Sequence, residues 1–295
     1  MAPSSTLILG SAKSGTTALF YANRAAINRA MGCDIKGLFE PRNMRAFRHH
    51  LESSDDPVWL CKALLAPIMR NMQDVVDRFD RRIVIYRDPR DNIVSRLLFM
   101  PPRLLFDIDR SKCDDYIGLI RRKQADPSGL SVLAILRALE GMSKRDDLIR
   151  NFRDNAIMPA QIRRAHGDRF WMFAYDDLIE GRSERLSEYL EIEVTPDFEV
   201  DGQHGHVSRS KGSGEWRSWF LPEDIEYFAL DVADDYALLG FDPAEAADPN
   251  PQIIPETSSH YVQQQVERLM AKRRSSRVRR RLNVREAAGR LGMLQ

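Results

Sequence analysis

Short apolar runs alternate with amphipathic stretches along the N-terminal part of the chain. Runs at Thr6–Gly10, Asp34–Phe39, Val58–Lys62, Arg82–Arg87 and Arg169–Ala174 have the length and β-branched content of buried strands. The intervals Thr16–Met31, Pro41–Leu51, Ala66–Phe79 and Pro89–Leu98 carry helical patterns. Strands that alternate with helices, and are apolar on both faces, predict an α/β fold. The expected architecture is a central parallel sheet with helices on both faces.

The middle, roughly Ser111 to Ala165, predicts a helical insertion, clearest over Ser131–Leu139 and Asp146–Asn155. Leu221–Leu239 predicts one further helix, stopped by Gly240. Asp242–Pro255, rich in Pro, Ala and Asp, reads as a linker. Beyond it, Val262, Val266, Leu269 and Met270 share one helical face, and Arg273–Arg285 is strongly basic. The expected organisation is a main domain over 1–245 and a linker with a basic helical tail over 246–295.

Composition changes this picture in two places. The net charge of +1 over 295 residues does not point to a nucleic-acid partner. The segment from Ala246 to Gln295, however, has ten Arg and Lys against four Asp and Glu, or +6, leaving −5 for the rest. Such a run is either a solvated, partly disordered segment or a surface for lipid headgroups or another polyanion. Three scattered cysteines, Cys33, Cys61 and Cys113, with no CxxC, argue against a disulfide framework or a zinc site. With no signal-peptide pattern and no apolar run near the roughly 20 residues of a membrane span, the expected location is cytoplasmic, with peripheral contact at the inner membrane face as a further option.

Three blocks carry chemistry. In Gly10-Ser11-Ala12-Lys13-Ser14-Gly15-Thr16-Thr17, a strand, a glycine-bounded loop and a helix start converge, an arrangement that aims backbone N–H groups at an anion. Gly10 and Gly15 keep Walker A spacing, but Thr16 occupies the lysine position and the lysine sits inside the loop, at Lys13. The second block delivers Arg87 to the end of a buried strand. Pro89 then starts a helix that carries Ser95, and a guanidinium with a hydroxyl on such a turn can hold a second phosphate. A surface ion pair of Arg87 with Asp88 or Asp91 is the simpler alternative. The third, Ser208-Arg209-Ser210-Lys211-Gly212-Ser213-Gly214-Glu215-Trp216, is a basic, glycine-rich loop able to close over a polyanion.

In this order, the blocks resemble the sulfotransferases that use 3′-phosphoadenylyl sulfate (PAPS). Lys13-Ser14-Gly15-Thr16-Thr17 is similar to that family's 5′-phosphosulfate loop. Arg87 and Ser95, eight residues apart after a strand, are similar to its 3′-phosphate motif. The Lys211-Gly212 segment resembles its late Arg-Lys-Gly-x-x-Gly-Asp-Trp motif, with Arg209 displaced by one residue and one residue fewer between the glycines. Tyr175-Asp176-Asp177-Leu178 resembles its structural Tyr-Glu-Asp-Leu turn.

The resemblance implies PAPS as cosubstrate, 3′-phosphoadenosine 5′-phosphate (PAP) as product, and no metal. It implies cofactor contacts from Ser11, Ala12, Lys13, Ser14, Gly15, Thr16, Thr17, Arg87, Ser95, Arg209, Lys211 and Gly212, with Lys13 stabilising the leaving phosphate. Lys62-Ala63-Leu64 stands where many phenol and steroid sulfotransferases have Lys-Thr-His, so the lysine is kept and the histidine is absent. Glu40, after the second strand, resembles the carboxylate base of carbohydrate-type members. Glu40 is therefore the candidate base and Lys62 a second catalytic cation. Glu40 as a mere cap of the following helix, and His204 or His206 as the base, remain open. The acceptor implied is a hydroxyl on a glycan or glycolipid. The rival readings are a P-loop kinase or nucleotidase, and a non-catalytic PAP-binding scaffold.

Overall fold

The computed structural model describes residues 4–41, 44–53, 58–66, 68, 76–195, 199–200, 209 and 212–292. Five parallel strands form one sheet in the order β2-β3-β1-β4-β5. They are β1 (Thr6–Gly10), β2 (Leu38–Phe39), β3 (Leu60–Leu64), β4 (Arg81–Tyr86) and β5 (Trp171–Ala174). Helices cover both faces, so the α/β expectation is met.

Strand alternation assigns the two faces. Ile8, Ile83, Ile85 and Phe173 face α1 (Thr16–Met31), which contributes Leu19, Phe20 and Ile27 to that layer. Leu7, Leu9, Cys61, Ala63 and Val84 point the other way. They meet Phe47 of α2 (Met44–Ser53) and Ile162 of a long later helix. The inner strand residues are fully buried on both faces, which is why their sequences read as unbroken apolar runs.

Four strands differ in their bounds from the sequence expectation, β5 starting at Trp171 where Arg169 was expected. β2 is only two residues long: the Ile35 N–H donates to the Asn28 side chain at 2.8 Å, which engages locally a group a strand would offer its neighbour. β3 runs two residues beyond Lys62, placing that lysine opposite Ile8 within the sheet. β4 ends at Tyr86, so Arg87 is the first residue past the strand. The expected Ala66–Phe79 helix falls largely outside the described residues.

After β4, α3 (Pro89–Phe99) begins under an Asp88 cap whose carboxylate accepts from Arg90 N at 2.8 Å. Next comes α4 (Pro101–Phe106), and the helical insertion expected over Ser111–Ala165 comprises α5 (Arg110–Ala125), α6 (Val132–Ser143) and α7 (Leu148–His166). With α3 it builds a second core around Leu97, Tyr116, Leu136 and Phe152. Short helices α8 (Tyr175–Ile179) and α9 (Glu184–Leu190) follow β5, and α10 (Trp216–Trp219) follows the glycine-rich loop.

The single helix expected over Leu221–Leu239 is two helices, α11 (Pro222–Ala229) and α12 (Ala233–Leu238). Asp231 breaks it with φ +62°. The break lets Phe228 join the helical core while Val232 and Tyr236 pack on Ile157, two targets that one straight helix does not serve.

The segment from Ala246 onward is joined to the main body. Ile253, Tyr261, Val262 and Val266 sit in the helical core, and Asp248 N donates to Arg217 O at 2.9 Å. The last helix, α13 (Ser259–Gly292), carries the basic run. Arg273 on it pairs with Asp107 at 2.8 Å and lies 4.5 Å from the Phe106 ring centre. Among the described residues, no helix is long and apolar enough to cross a membrane.

Candidate active site

Strand order places a topological switch point at β1. The chain leaves β1 toward β2 and β3 on one side and returns to β4 on the other, opening a crevice beyond the carboxyl end of β1. The Ser11–Gly15 loop fills the floor of that crevice. Its shape is set by its own hydroxyls and by neighbours. Ser14 Oγ donates to Ser11 O at 2.8 Å, Ser11 Oγ to Asn155 O at 2.5 Å, and Asn92 Nδ2 to Ala12 O at 2.9 Å. Lys13 has φ +73° and Gly15 φ +94°. A Cβ on Gly15 would lie 2.3 Å from the Tyr175 ring, so this position needs glycine for space as well as for conformation.

α1 therefore starts at Thr16 with no side-chain cap and no acidic residue in its first turn. The first N–H groups of a helix have no intrahelical acceptor, and the positive end of its dipole favours an anion. Thr17 sits in this turn and its Oγ1 accepts from Lys62 Nζ at 3.2 Å.

Four cations from four separate stretches of chain converge on this loop. Lys13 Nζ lies 4.2 Å from the Phe99 ring centre. Its pKa is pulled down to about 7, first by burial and then by the positive charges of Arg209, Arg87 and Lys62. Lys62 is buried in β3, and burial lowers its pKa against the opposing pull of Glu40. The Lys62 ammonium pairs with Glu40 Oε1, while Glu40 N donates to Lys62 O at 2.8 Å. Glu40 takes φ +46° just past β2.

Arg87 is buried, faces the Tyr175 ring at 4.8 Å, and donates to Gly212 O at 2.9 Å. Its ion pair with Asp91, at 3.5 Å, is the one anticipated as a surface contact, but both side chains are buried. Arg209 pairs with Glu215 and donates to Thr257 O at 2.7 Å, which ties the glycine-rich loop to the Pro255–Thr257 turn that precedes α13. The Nε atoms of Arg87 and Arg209 are buried donors with no hydrogen-bond partner. Two orphaned guanidinium donors and an uncapped helix start fit a ligand that brings two separate anionic groups.

Of the residues expected at the site, the structure brings together the Ser11–Thr17 loop, Glu40, Lys62, Arg87, Arg209 and Gly212. Ser95 is buried on α3, two turns past Arg87. The Ser11 and Ser14 hydroxyl protons are committed to backbone carbonyls, which makes these residues shapers of the loop. Lys211, His204 and His206 lie outside the described residues.

Sequence reasoning saw in Asp91 only a surface partner for Arg87 and missed its hold on the glycine-rich loop. Its Oδ1 accepts from Trp216 N at 3.0 Å and its Oδ2 from Gly214 N at 2.6 Å, so it binds the glycine-rich loop to α3 beneath Arg87. The only local signal is its position four residues after Arg87. Asn92 and Phe99, on the same helix, were silent in the sequence.

A scan against protein-family models finds no match, and no curated protein is significantly similar to this chain.

Proposed function

We propose that this protein is a PAPS-dependent sulfotransferase acting on an acceptor hydroxyl, with a glycan or glycolipid as the acceptor class. The observation that supports it best is the convergence of Lys13, Lys62, Arg87 and Arg209 on one loop, with orphaned donors on both arginines. The uncapped helix start beside Lys62 offers one anion position and the orphaned guanidinium donors of Arg87 and Arg209 another, as a ligand with phosphate on both sides of a ribose needs.

In this reading, the helix start at Thr16 and Thr17 holds the 5′-phosphate, and Arg87 with Ser95 holds the 3′-phosphate. Arg209, Lys211 and Gly212 close over the nucleotide. PAPS supplies the sulfuryl group. Glu40, paired with Lys62 through Oε1, has Oε2 to take the acceptor's proton as the hydroxyl oxygen forms its bond to sulfur. Lys13 stabilises the charge that grows on the bridging oxygen as the S–O bond to the phosphate breaks. Lys62 adds positive charge beside the transferred group. We place the protein in the cytoplasm, with the basic part of α13 available to an anionic surface.

Calorimetry tests the cosubstrate. PAP is expected to bind in EDTA, and ATP with Mg²⁺ to bind more weakly. Preference for ATP with Mg²⁺ would favour the kinase or nucleotidase reading instead.

The depressed Lys13 pKa gives a second check. A bound phosphate opposes the desolvation and the neighbouring cations, so it moves that pKa back up. Between the free value of about 7 and the higher bound value, binding takes up a proton. PAP affinity should therefore fall as pH rises above 7, by up to about tenfold per unit for one proton. Proton uptake near pH 8, read from calorimetry in buffers of different ionisation enthalpy, should vanish in Lys13→Met.

A further inference from the structure

The P-loop side of α7 carries a cleft that none of the assigned residues uses. Its volume is about 260 Å³, and it is lined by Ala66, Asp147, Arg150, Asn151, Asp154, Asn155 and Met158. Its wall touches the catalytic loop, because Ser11 Oγ donates to the Asn155 carbonyl at 2.5 Å. Ala66 lies four residues past Lys62, so at most roughly 14 Å of chain separates them.

The lining is polar on most sides. Asn155 Oδ1 is buried and has no hydrogen-bond partner. Arg150 is exposed and makes no ion pair among the described residues. Asn151 Oδ1 accepts from Arg96 at 2.9 Å, which fixes the carboxamide so that its N–H₂ is free to donate. Asp147 is held by Arg145 through two hydrogen bonds of 2.8 and 2.9 Å, and Asp154 pairs with Arg153 at 3.6 Å. These groups offer donors and acceptors at short spacing, the need of a ring bearing neighbouring hydroxyls. The only apolar lining is Ala66 and Met158, with no aromatic surface for a phenol or steroid, and two carboxylates disfavour an anionic acceptor. The volume suits a single small ring.

We infer that this cleft is the acceptor subsite and that it takes one neutral sugar ring. Asn155 and Arg150 read its hydroxyls, and the Ser11 bond to the Asn155 carbonyl joins the cleft to the loop that carries Lys13. The inference rests on the sulfotransferase reading and specifies its acceptor. The test is saturation-transfer NMR on the full chain saturated with PAP, probed with the methyl glycosides of glucose, galactose and mannose. At least one glycoside should receive saturation. Arg150→Ala and Asn155→Ala should each weaken its binding about tenfold, as expected for one lost hydrogen bond, with calorimetric PAP affinity unchanged. Arg150 is a surface residue, so its variant should fold, and the Ser11 bond uses the main chain of Asn155. If no glycoside binds, or if both variants bind it as the parent does, the cleft assignment fails while PAP binding still stands. If the variants lose PAP affinity as well, the cleft is not a separate subsite. If PAP itself does not bind the parent, both readings fall.

Discussion

Lys13→Ala should lower the rate of sulfuryl transfer by roughly 10²–10³ while weakening PAP binding much less. The asymmetry follows from the state of Lys13 before any ligand arrives. Burial and the charges of Arg209, Arg87 and Lys62 pull its pKa down to about 7, so its ammonium gives up protons near neutral pH. Ground-state binding must first restore that charge, which cancels part of its benefit. The transition state, with more negative charge on the bridging oxygen, uses the charge in full. Removing the side chain also relieves repulsion among four cations, so the unfolding midpoint of the ligand-free protein should stay level or rise slightly. Single-turnover release of PAP from PAPS, with fractionated glycans or lipids as acceptor, measures the rate. A variant that turned over near the parent rate and bound PAP normally would remove Lys13 from the mechanism.

Asp91→Ala should produce the largest loss of stability. The Asp91 side chain is fully buried, pairs with Arg87 at 3.5 Å, and satisfies the Gly214 and Trp216 N–H groups. Truncation leaves a buried guanidinium among other cations, and two N–H groups without an acceptor. Breaking one side of a buried ion pair costs about 3–5 kcal/mol. The same cut releases the glycine-rich loop from α3, so PAP affinity should fall by about tenfold or more, the scale of one lost charge-assisted hydrogen bond. Asp91→Asn keeps one acceptor oxygen without the charge and should fall between. Urea denaturation and calorimetry read the two effects. An alanine variant of parental stability and PAP affinity would mean that the loop is held by other contacts.

Much of this site was legible in the chain, because its parts are local. A buried parallel strand must be apolar on both faces, so β1 and β4 announced themselves. The residues just past them, Lys13 and Arg87, were then marked as belonging to the ligand edge of the sheet. Lys62 and Glu40 were marked in the same way, although β3 continues past Lys62 and Glu40 reaches it through the β2–β3 register.

What local pattern does not encode is which distant groups meet. Asp91 looked like a surface acid until the Gly214–Trp216 loop came down on it, more than a hundred residues away in sequence. Asp231 looked helical, since nothing nearby shows that Phe228 and Tyr236 have different cores to reach. The segment after Ala246 read as a linker because Pro, Ala and Asp are turn formers. Only the folded core shows Ile253 and Tyr261 filling space left by α3 to α5. The sequence by itself determined the sheet, the loop and its displaced lysine, because periodicity and turn chemistry act over a few residues. The convergence of four cations, the buried carboxylate beneath them and the bond that joins the loop to the polar cleft on α7 were decided by tertiary structure alone, where burial and charge depend on elements far apart in the chain.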